Sequence, residues 1–521
     1  MVNMHAHMVL INADIITMNK LQPKAQAVAI KNGKIIEVGS YNKIKQLAGK
    51  NTKIINVHGK TVLPGLIDAH AHMISLGHPF PWVDLRNVSS VKEIQRKLEA
   101  KVRETKKGKW IHGRGWDQER LKERRYPNRW DLDKVSPHNP VFLDRVCGHI
   151  GVANSRALEI AKIDKETAAS WDELVDRDPK TGEPTGILRE QINDMVWNLP
   201  EPSGRDLLNA CSSACVQAVK AGLTSVHWFA YKPNEIYALQ KLKRRNQILL
   251  RVHVVVPMEY FDIFRNKGFA DPFLKLECVK IFADGSLGAR TAALRQPYAD
   301  EPSTRGMLNH SQKELKTMIK TVNEADFQIA IHAIGDLAIS EALKAFKEAL
   351  GEATIRKRRH RIEHVSVLNP RLIKQIKALG LMVCIQPHFV LSDFWVSNRL
   401  GQERARWTYP FKSLIENGIL AAGSSDAPAE PVSPILGIWA AVTRESFPEE
   451  RISVAEALKA YTINAAYMSF EESMKGSIEV GKFADLTVLS HNPLEVEPAK
   501  IRDIRVEMTI VGGKIAYSAT D

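Results

Sequence analysis

Hydrophobic and polar positions follow two rhythms along the chain. Over residues 8–64, short β-rich runs alternate with turn residues, as in "MVLINADIITM", "AQAVAIKNGKIIEVGS" and "NTKIINVHGKTVLP". Asn32-Gly33 supplies the pair that tolerates the positive φ of a two-residue hairpin. The same rhythm returns in "GKFADLTVLS" (481–490) and "VEMTIVGGKIAYS" (506–518), with Gly512-Gly513 as the turn. Chain ends often meet in a fold. The two stretches therefore predict one composite β-sandwich domain, residues 1–61 with 471–521.

Between 206 and 470 the rhythm changes. Continuous apolar runs of strand length alternate with amphipathic helical stretches. The runs lie at 222–230, 248–256, 276–285, 327–336, 358–367, 381–389 and 418–428. Buried parallel strands read this way because helices cover both of their faces. "VLPGLIDAHAH" (62–72) supplies an eighth run. Eight β/α units predict an α/β fold, a (β/α)8 TIM barrel, over residues 62–79 and 206–470. Residues 80–205 interrupt the count after the first barrel strand. This stretch holds Trp82, Trp110, Trp116, Trp130, Trp171 and Trp197 among Pro and Gly turns. It reads as an inserted subdomain covering the active site, because insertions after a strand's C-terminal end fall on the barrel mouth.

Composition narrows the class. A chain of 521 residues exceeds one simple core, and 44% hydrophobic with 25% charged residues is an ordinary globular balance. No apolar run reaches the roughly 18–20 residues of a spanning helix, and no basic region precedes an apolar stretch as in a secretory signal. Cys147, Cys211, Cys215, Cys278 and Cys384 are scattered, with no Cys-x-x-Cys pair. A reduced, cytoplasmic protein without membrane contact is expected. The net charge of +14 raises the question of nucleic acid. The densest basic runs, 241–247 and 356–361, sit between a helix and the next strand, so solvated surface is expected and no nucleic-acid partner. A homo-oligomer remains open.

The chemistry starts from a duplicated motif, His-x-His in "MHAHM" (4–8) and "DAHAHM" (68–73). Side chains alternate along a strand, so His70 and His72 share a face at the end of the first barrel strand. Two imidazoles so placed can hold a divalent metal. Lys280, His332, His364 and Asp426 fall at corresponding places in later units. His5 and His7 precede a terminal strand with no further ligands near them, and read as a plain terminus. Lys280 is the odd member: a buried ammonium is costly and cannot ligate a cation. Either it pairs, for instance with Asp284, or carbon dioxide carbamylates it to a carboxylate able to bridge two metals.

These residues sit within "LPGLIDAHAHM", "GRGWD", "PVFLDRVCGH", "VKIFADGSLGART", "HAIGD", "RIEHV", "QPHF", "GSSDAP" and "TINAA". With these pieces the chain resembles the amidohydrolase superfamily, in its amidohydrolase-3 branch. The resemblance implies a binuclear centre with His70 and His72 on one metal, His332 and His364 on the other, and carbamylated Lys280 as bridge. It implies Asp426 as ligand and catalytic proton shuttle. Two zinc ions are expected, with manganese, iron or cobalt open.

The expected reaction is cleavage of a non-peptide, amide-like C–N bond of a small molecule by a metal-bound hydroxide. A lactone or ester hydrolase and a mononuclear deaminase on the same barrel stay open as alternatives. So does a metal-free binding or regulatory protein that kept the fold. For substrate contacts, Trp116 is expected as a pocket wall, Arg145 and His149 as polar contacts, Asp284 and Arg290 just past strand four, and His388 after strand seven. His227 and His253 lie mid-strand and read as core or supporting residues. "GRGWDQ" lacks the strand and helix context of a dinucleotide loop.

Overall fold

The computed structural model describes residues 5–519 other than 79, 172, 198 and 267. Eight parallel strands pair in chain order: β1 (Leu66–Ala71), β2 (Leu223–Phe229), β3 (Arg251–Pro257), β4 (Leu274–Phe282), β5 (Gln328–Ala333), β6 (Arg361–His364), β7 (Met382–Ile385) and β8 (Ala421–Gly423). The last strand returns to the first through one parallel bridge, Ala71 to Ala427. The His72 N–H donates to Ala427 O at 2.7 Å and the Asp426 N–H to His70 O at 2.8 Å. The result is a nearly closed TIM barrel.

Seven of these strands are buried at every residue, which is why most of their sequences are rich in apolar residues, Arg361–His364 being the exception. The helices between them bury one stripe each. Gln312–Glu324 starts at a capping box of Ser311 and Glu314 and buries Leu315, Ile319 and Val322. Pro370–Leu379 starts at the Asn369 cap, buries Leu372, Ile373, Ile376 and Leu379, and stops at Gly380. Among the described residues, no helix is long and apolar enough to cross a membrane.

Both chain ends build two further sheets. One has the order Lys34–Gly39, Ala27–Lys31, Met8–Ile11, Lys53–Asn56. The other runs Lys514–Ser518, Val506–Val511, Leu486–Leu489, Thr61–Pro64, Asp14–Ile16, Lys24–Ala25. Their facing residues, including Leu10, Ile15, Ile30, Val62, Leu486 and Ile510, form one core. Asn32-Gly33 and Gly512-Gly513 both turn with two positive φ angles, as a tight hairpin demands.

Two single runs in the sequence prove to be pairs of strands. "MVLINADIITM" bends at Asn12 (φ 52°) and divides between the two terminal sheets. Residues 62–72, read as one barrel strand, also divide: Thr61–Pro64 belongs to the terminal sheet and Leu66–Ala71 to the barrel.

Gly65 is the hinge between those two strands, with its N–H donating to Asp485 O at 2.8 Å. A Cβ at this position would stand 2.0 Å from Thr224 Oγ1. Gly65→Ala is expected to lower stability by about 1–3 kcal/mol through overpacking, read as a fall in Tm.

The chain divides into two compact units: Met1–Gly77 with Cys211–Asp284 and Ala292–Asp521, and His78–Ala210 with Gly285–Thr291. The second is built on its own six-stranded sheet, Trp82–Asp84 through Val175–Arg177, with Val83, Leu98, Ile111, Leu143 and Ile187 in its core. The loop Gly285–Thr291 directly follows β4 yet packs here, where the sequence placed it with the barrel. Its glycines explain this: a Cβ at Gly285 would meet Glu190 Oε1 at 2.5 Å, and one at Gly288 would meet Arg145 Nη1 at 2.5 Å.

Candidate metal centre

The strand ends of the barrel bring His70, His72, Lys280, His332, His364 and Asp426 together. His70 is fully buried, with its ring stacked on Phe229 at 3.6 Å between centroids. His72 stacks on Tyr231 at 4.7 Å. His70 Nε2 lies 3.4 Å, and His72 Nε2 3.5 Å, from the same oxygen, Asp426 Oδ1. Ligands at about 2.1 Å from one tetrahedral cation stand about 3.4 Å apart. Both distances to Asp426 match a ligand set, and the ligand atoms of the three residues all lie within 4.8 Å of one another. His70 Nε2 has no hydrogen-bond partner among the described residues, a costly state for a buried nitrogen unless a cation takes its lone pair.

The other imidazoles stand alongside. The rings of His332 and His364 are 4.5 Å apart, and those of His70 and His364 5.0 Å. His364 Nδ1 pairs with Gln386 Oε1 at 2.8 Å. Gln386 is itself held, donating from Nε2 to Ser424 Oγ at 2.8 Å. His332 Nε2 lies 3.5 Å from Asp284 Oδ1. Burial, then the Lys280 charge, pushes His70 well below the ordinary imidazole range. Burial leads for His364 as well, followed by His70 and Lys280. Both imidazoles are thereby kept neutral, the form that binds metal.

Lys280 is 3% exposed, and among the described residues its Nζ makes no hydrogen bond. It faces the rings of Phe229 (4.8 Å) and Phe282 (4.6 Å). Burial pushes its amine down to about 8, against the opposing charges of Glu363 and Asp426. The alternative of a pair with Asp284 is not realised. That carboxylate instead accepts from the N–H groups of Ala293 (2.9 Å), Ile334 (3.0 Å) and Gly335 (2.8 Å).

Backbone strain collects at the same strand ends. His364 (φ 74°), Val365 (φ 42°) and Asp426 (φ 54°) are all left-handed. For a β-branched valine this is a true outlier, the kind that persists where surrounding contacts over-determine it. The turn at His364 breaks the pleat, so that the adjacent Glu363 and His364 both serve the barrel interior.

The other expected site residues are distributed over the two units. Trp116 is a core residue of the second unit: it is fully buried, donates from Nε1 to Leu143 O at 2.7 Å and packs on Tyr126. Also in the second unit, Arg145 is buried, donating to Gln118 Oε1 and Asp117 Oδ1 at 2.8 Å each. His149 Nδ1 pairs there with Glu190 Oε2 at 2.9 Å. Arg290 is half-buried in the loop after β4, in a left-handed turn (φ 60°). Asp284 is a structural knot beside His332 rather than an open contact. His388, after β7, pairs through Nδ1 with Glu430, which also accepts from Ser392. His227 and His253 are buried with rings 5.0 Å apart. Among the described residues, neither metal-capable cluster includes His5 or His7.

The structure adds Asp68, Arg361, Glu363 and Gln386, none of which the sequence reading singled out. Asp68 accepts from the N–H groups of His70 and Ser425 at 3.1 Å each and from Ser425 Oγ, so it ties β1 to the loop after β8. Burial lifts its carboxyl to about 7. Glu363 Oε2 lies 2.6 Å from His70 Nδ1. Cys384 completes a second cluster with these two, but burial pushes its thiol well up and it donates to Ser424 Oγ at 3.2 Å. The available signal was charge within an apolar strand: Arg361 and Glu363 are two apart in "RIEH", on one face.

Comparison with known proteins agrees with this geometry. The model of the amidohydrolase family matches residues 53–517. YtcJ of Bacillus subtilis (strain 168) is 33% identical over 96% of this chain and 98% of its own. N-substituted formamide deformylase of Arthrobacter pascens is 28% identical over 98% of each chain. The crystal structure of an uncharacterised metal-dependent hydrolase from Pyrococcus furiosus superposes with a TM-score of 0.77 at 33% identity, covering 94% of this chain and 100% of that one.

Proposed function

The chain belongs to the amidohydrolase family and is a metal-dependent hydrolase, and we propose that it cleaves a non-peptide C–N bond in an amide-like small molecule. The observation that carries this reading is Asp426 Oδ1 at ligand–ligand spacing from both His70 Nε2 and His72 Nε2. Similarity along almost the whole chain to a protein named N-substituted formamide deformylase favours an amide over an ester.

In this reading His70 and His72 would hold one divalent ion and His332 and His364 a second, and a carbamylated Lys280 would serve both. Zinc suits the imidazole and carboxylate set, as do manganese, iron and cobalt. A bound divalent ion supplies Lewis-acid activation of water and of a carbonyl near neutral pH. The Asp426 carboxylate takes a proton from the attacking water and passes it to the leaving nitrogen, as base and then acid. The His388–Glu430 pair offers an oriented imidazole after β7 for a polar group of the substrate.

Elemental analysis together with a hydrolysis screen tests the proposal. About two metal ions per chain are expected, with turnover of N-acyl, N-formyl or cyclic amides that chelation abolishes. A single ion with ammonia release would replace the reading by a deaminase, and turnover of lactones alone by a lactonase. A chain prepared with zinc that takes up none would remove hydrolysis altogether.

A further inference from the structure

We infer that Glu363, clamped by Arg361, is the positioning residue that sets the tautomer of His70 and thereby makes the half-site of His70 and His72 the tighter of two. The inference rests on the metal-binding reading above. Glu363 stands in register with His332 on β5 and Cys384 on β7. From β6 it crosses the interior to β1, which is not its neighbour in the sheet.

Its Oε2 lies 2.6 Å from His70 Nδ1. A carboxylate only accepts, so the proton sits on Nδ1 and the Nε2 lone pair is presented toward Asp426 and His72. Phe229 stacks on the same ring at an interplanar angle of 8°, which removes rotation about the remaining axis.

Arg361 holds the carboxylate in turn. Its Nε donates to Glu363 Oε1 at 2.5 Å and its Nη2 to Oε2 at 2.8 Å. The rest of the guanidinium is fixed by Ala69 O on β1 (2.6 Å) and His227 Nδ1 on β2 (2.9 Å). His70 and Glu363 side chains are both completely buried. A buried ion pair contributes little net stability compared with apolar residues of the same volume. Its position behind a metal-facing imidazole accounts for it better.

The two half-sites are thereby unequal. His70 is held by a carboxylate at 2.6 Å, whereas His364 is oriented by the neutral amide of Gln386 and the carboxylate nearest His332, Asp284, stands farther off, 3.5 Å from Nε2. A carboxylate partner raises the basicity of the ligating nitrogen, and such partners are worth about 10–100-fold in metal affinity.

The test is chelator-competed cobalt titration of the metal-free wild-type protein and of E363Q. Gln keeps the shape but turns one oxygen into a donor, which opposes either His70 Nδ1–H or the Arg361 fork. The tighter binding step is expected to weaken about 10–100-fold in E363Q, with a lower Tm because the buried Arg361 charge loses its partner. The weaker step and its d–d spectrum should stay as in the wild type. The double variant R361M/E363L removes both charges at similar volume and should fold and show the same loss.

Nitrogen-15 spectra of the metal-free wild-type protein read the tautomer without any variant: Nδ1-protonated His70 is expected, and Nε2-protonated His70 overturns the inference. A folded E363Q or double variant with the wild-type titration also overturns it, and leaves the metal reading intact. A wild-type chain that takes up no cobalt or zinc overturns both.

Discussion

Asp426→Asn is expected to leave a folded protein whose hydrolysis is slower by about 10²–10⁴-fold, the usual share of a positioned acid–base group. The substitution keeps the side chain's volume and removes its charge and its capacity to take a proton. Its backbone contacts are kept by the substitution: its N–H donates to His70 O and its carbonyl accepts from Ala429 N–H at 2.9 Å. The carboxylate faces the two Nε2 atoms of His70 and His72 instead. An amide oxygen there is a weaker ligand, so metal content per chain should fall as well. Turnover at saturating metal, measured beside elemental analysis, separates the two losses. Full activity in this variant would take the proton-transfer role away from Asp426.

Lys280→Ala is the second large effect. A primary ammonium at 3% exposure, over two phenylalanine rings and without a hydrogen bond among the described residues, is poorly solvated. Carbamylation would answer this: the ammonium gives up one proton, the neutral amine adds to carbon dioxide as an N–C bond forms and one C=O π bond opens, a second N–H proton leaves, and a cation is replaced by an anion with two carboxylate oxygens. Removal of the side chain should lower metal content, and with it several kcal/mol of metal-supplied stabilisation of the reacting carbonyl. At 1.36 kcal/mol per decade this is a loss of about 10²-fold or more. Acetate or propionate, supplied in trans, should restore part of both metal content and activity. Unchanged metal content and activity in this variant would remove the bridge.

Much of the fold was legible because its signals are local. A strand covered on both faces is buried at every position and mostly apolar, and β2, β3 and β5 carry that mark. Tight hairpins need positive φ at two residues, and the Asn32-Gly33 and Gly512-Gly513 pairs show it. Alternation along β1 put His70 and His72 on one side. The single run at 62–72 misled for a matching reason: Thr61–Pro64 and Leu66–Ala71 are equally buried and joined by one residue, and only their pairing partners differ.

The sequence by itself determined the eight apolar runs, the turns between the terminal strands and the ligand-capable residues at the strand ends, because each depends on residues within a few positions of one another. Tertiary structure alone decided the partners. Glu363 meets His70 although 293 residues separate them, and Gln386 meets His364 from the next strand. Adjacent Glu363 and His364 serve one interior only because φ turns positive at 364, against the alternation that a regular strand imposes. Whether a histidine nitrogen is a donor or a free lone pair depends on the atom opposite it, and barrel closure puts that atom on a distant strand.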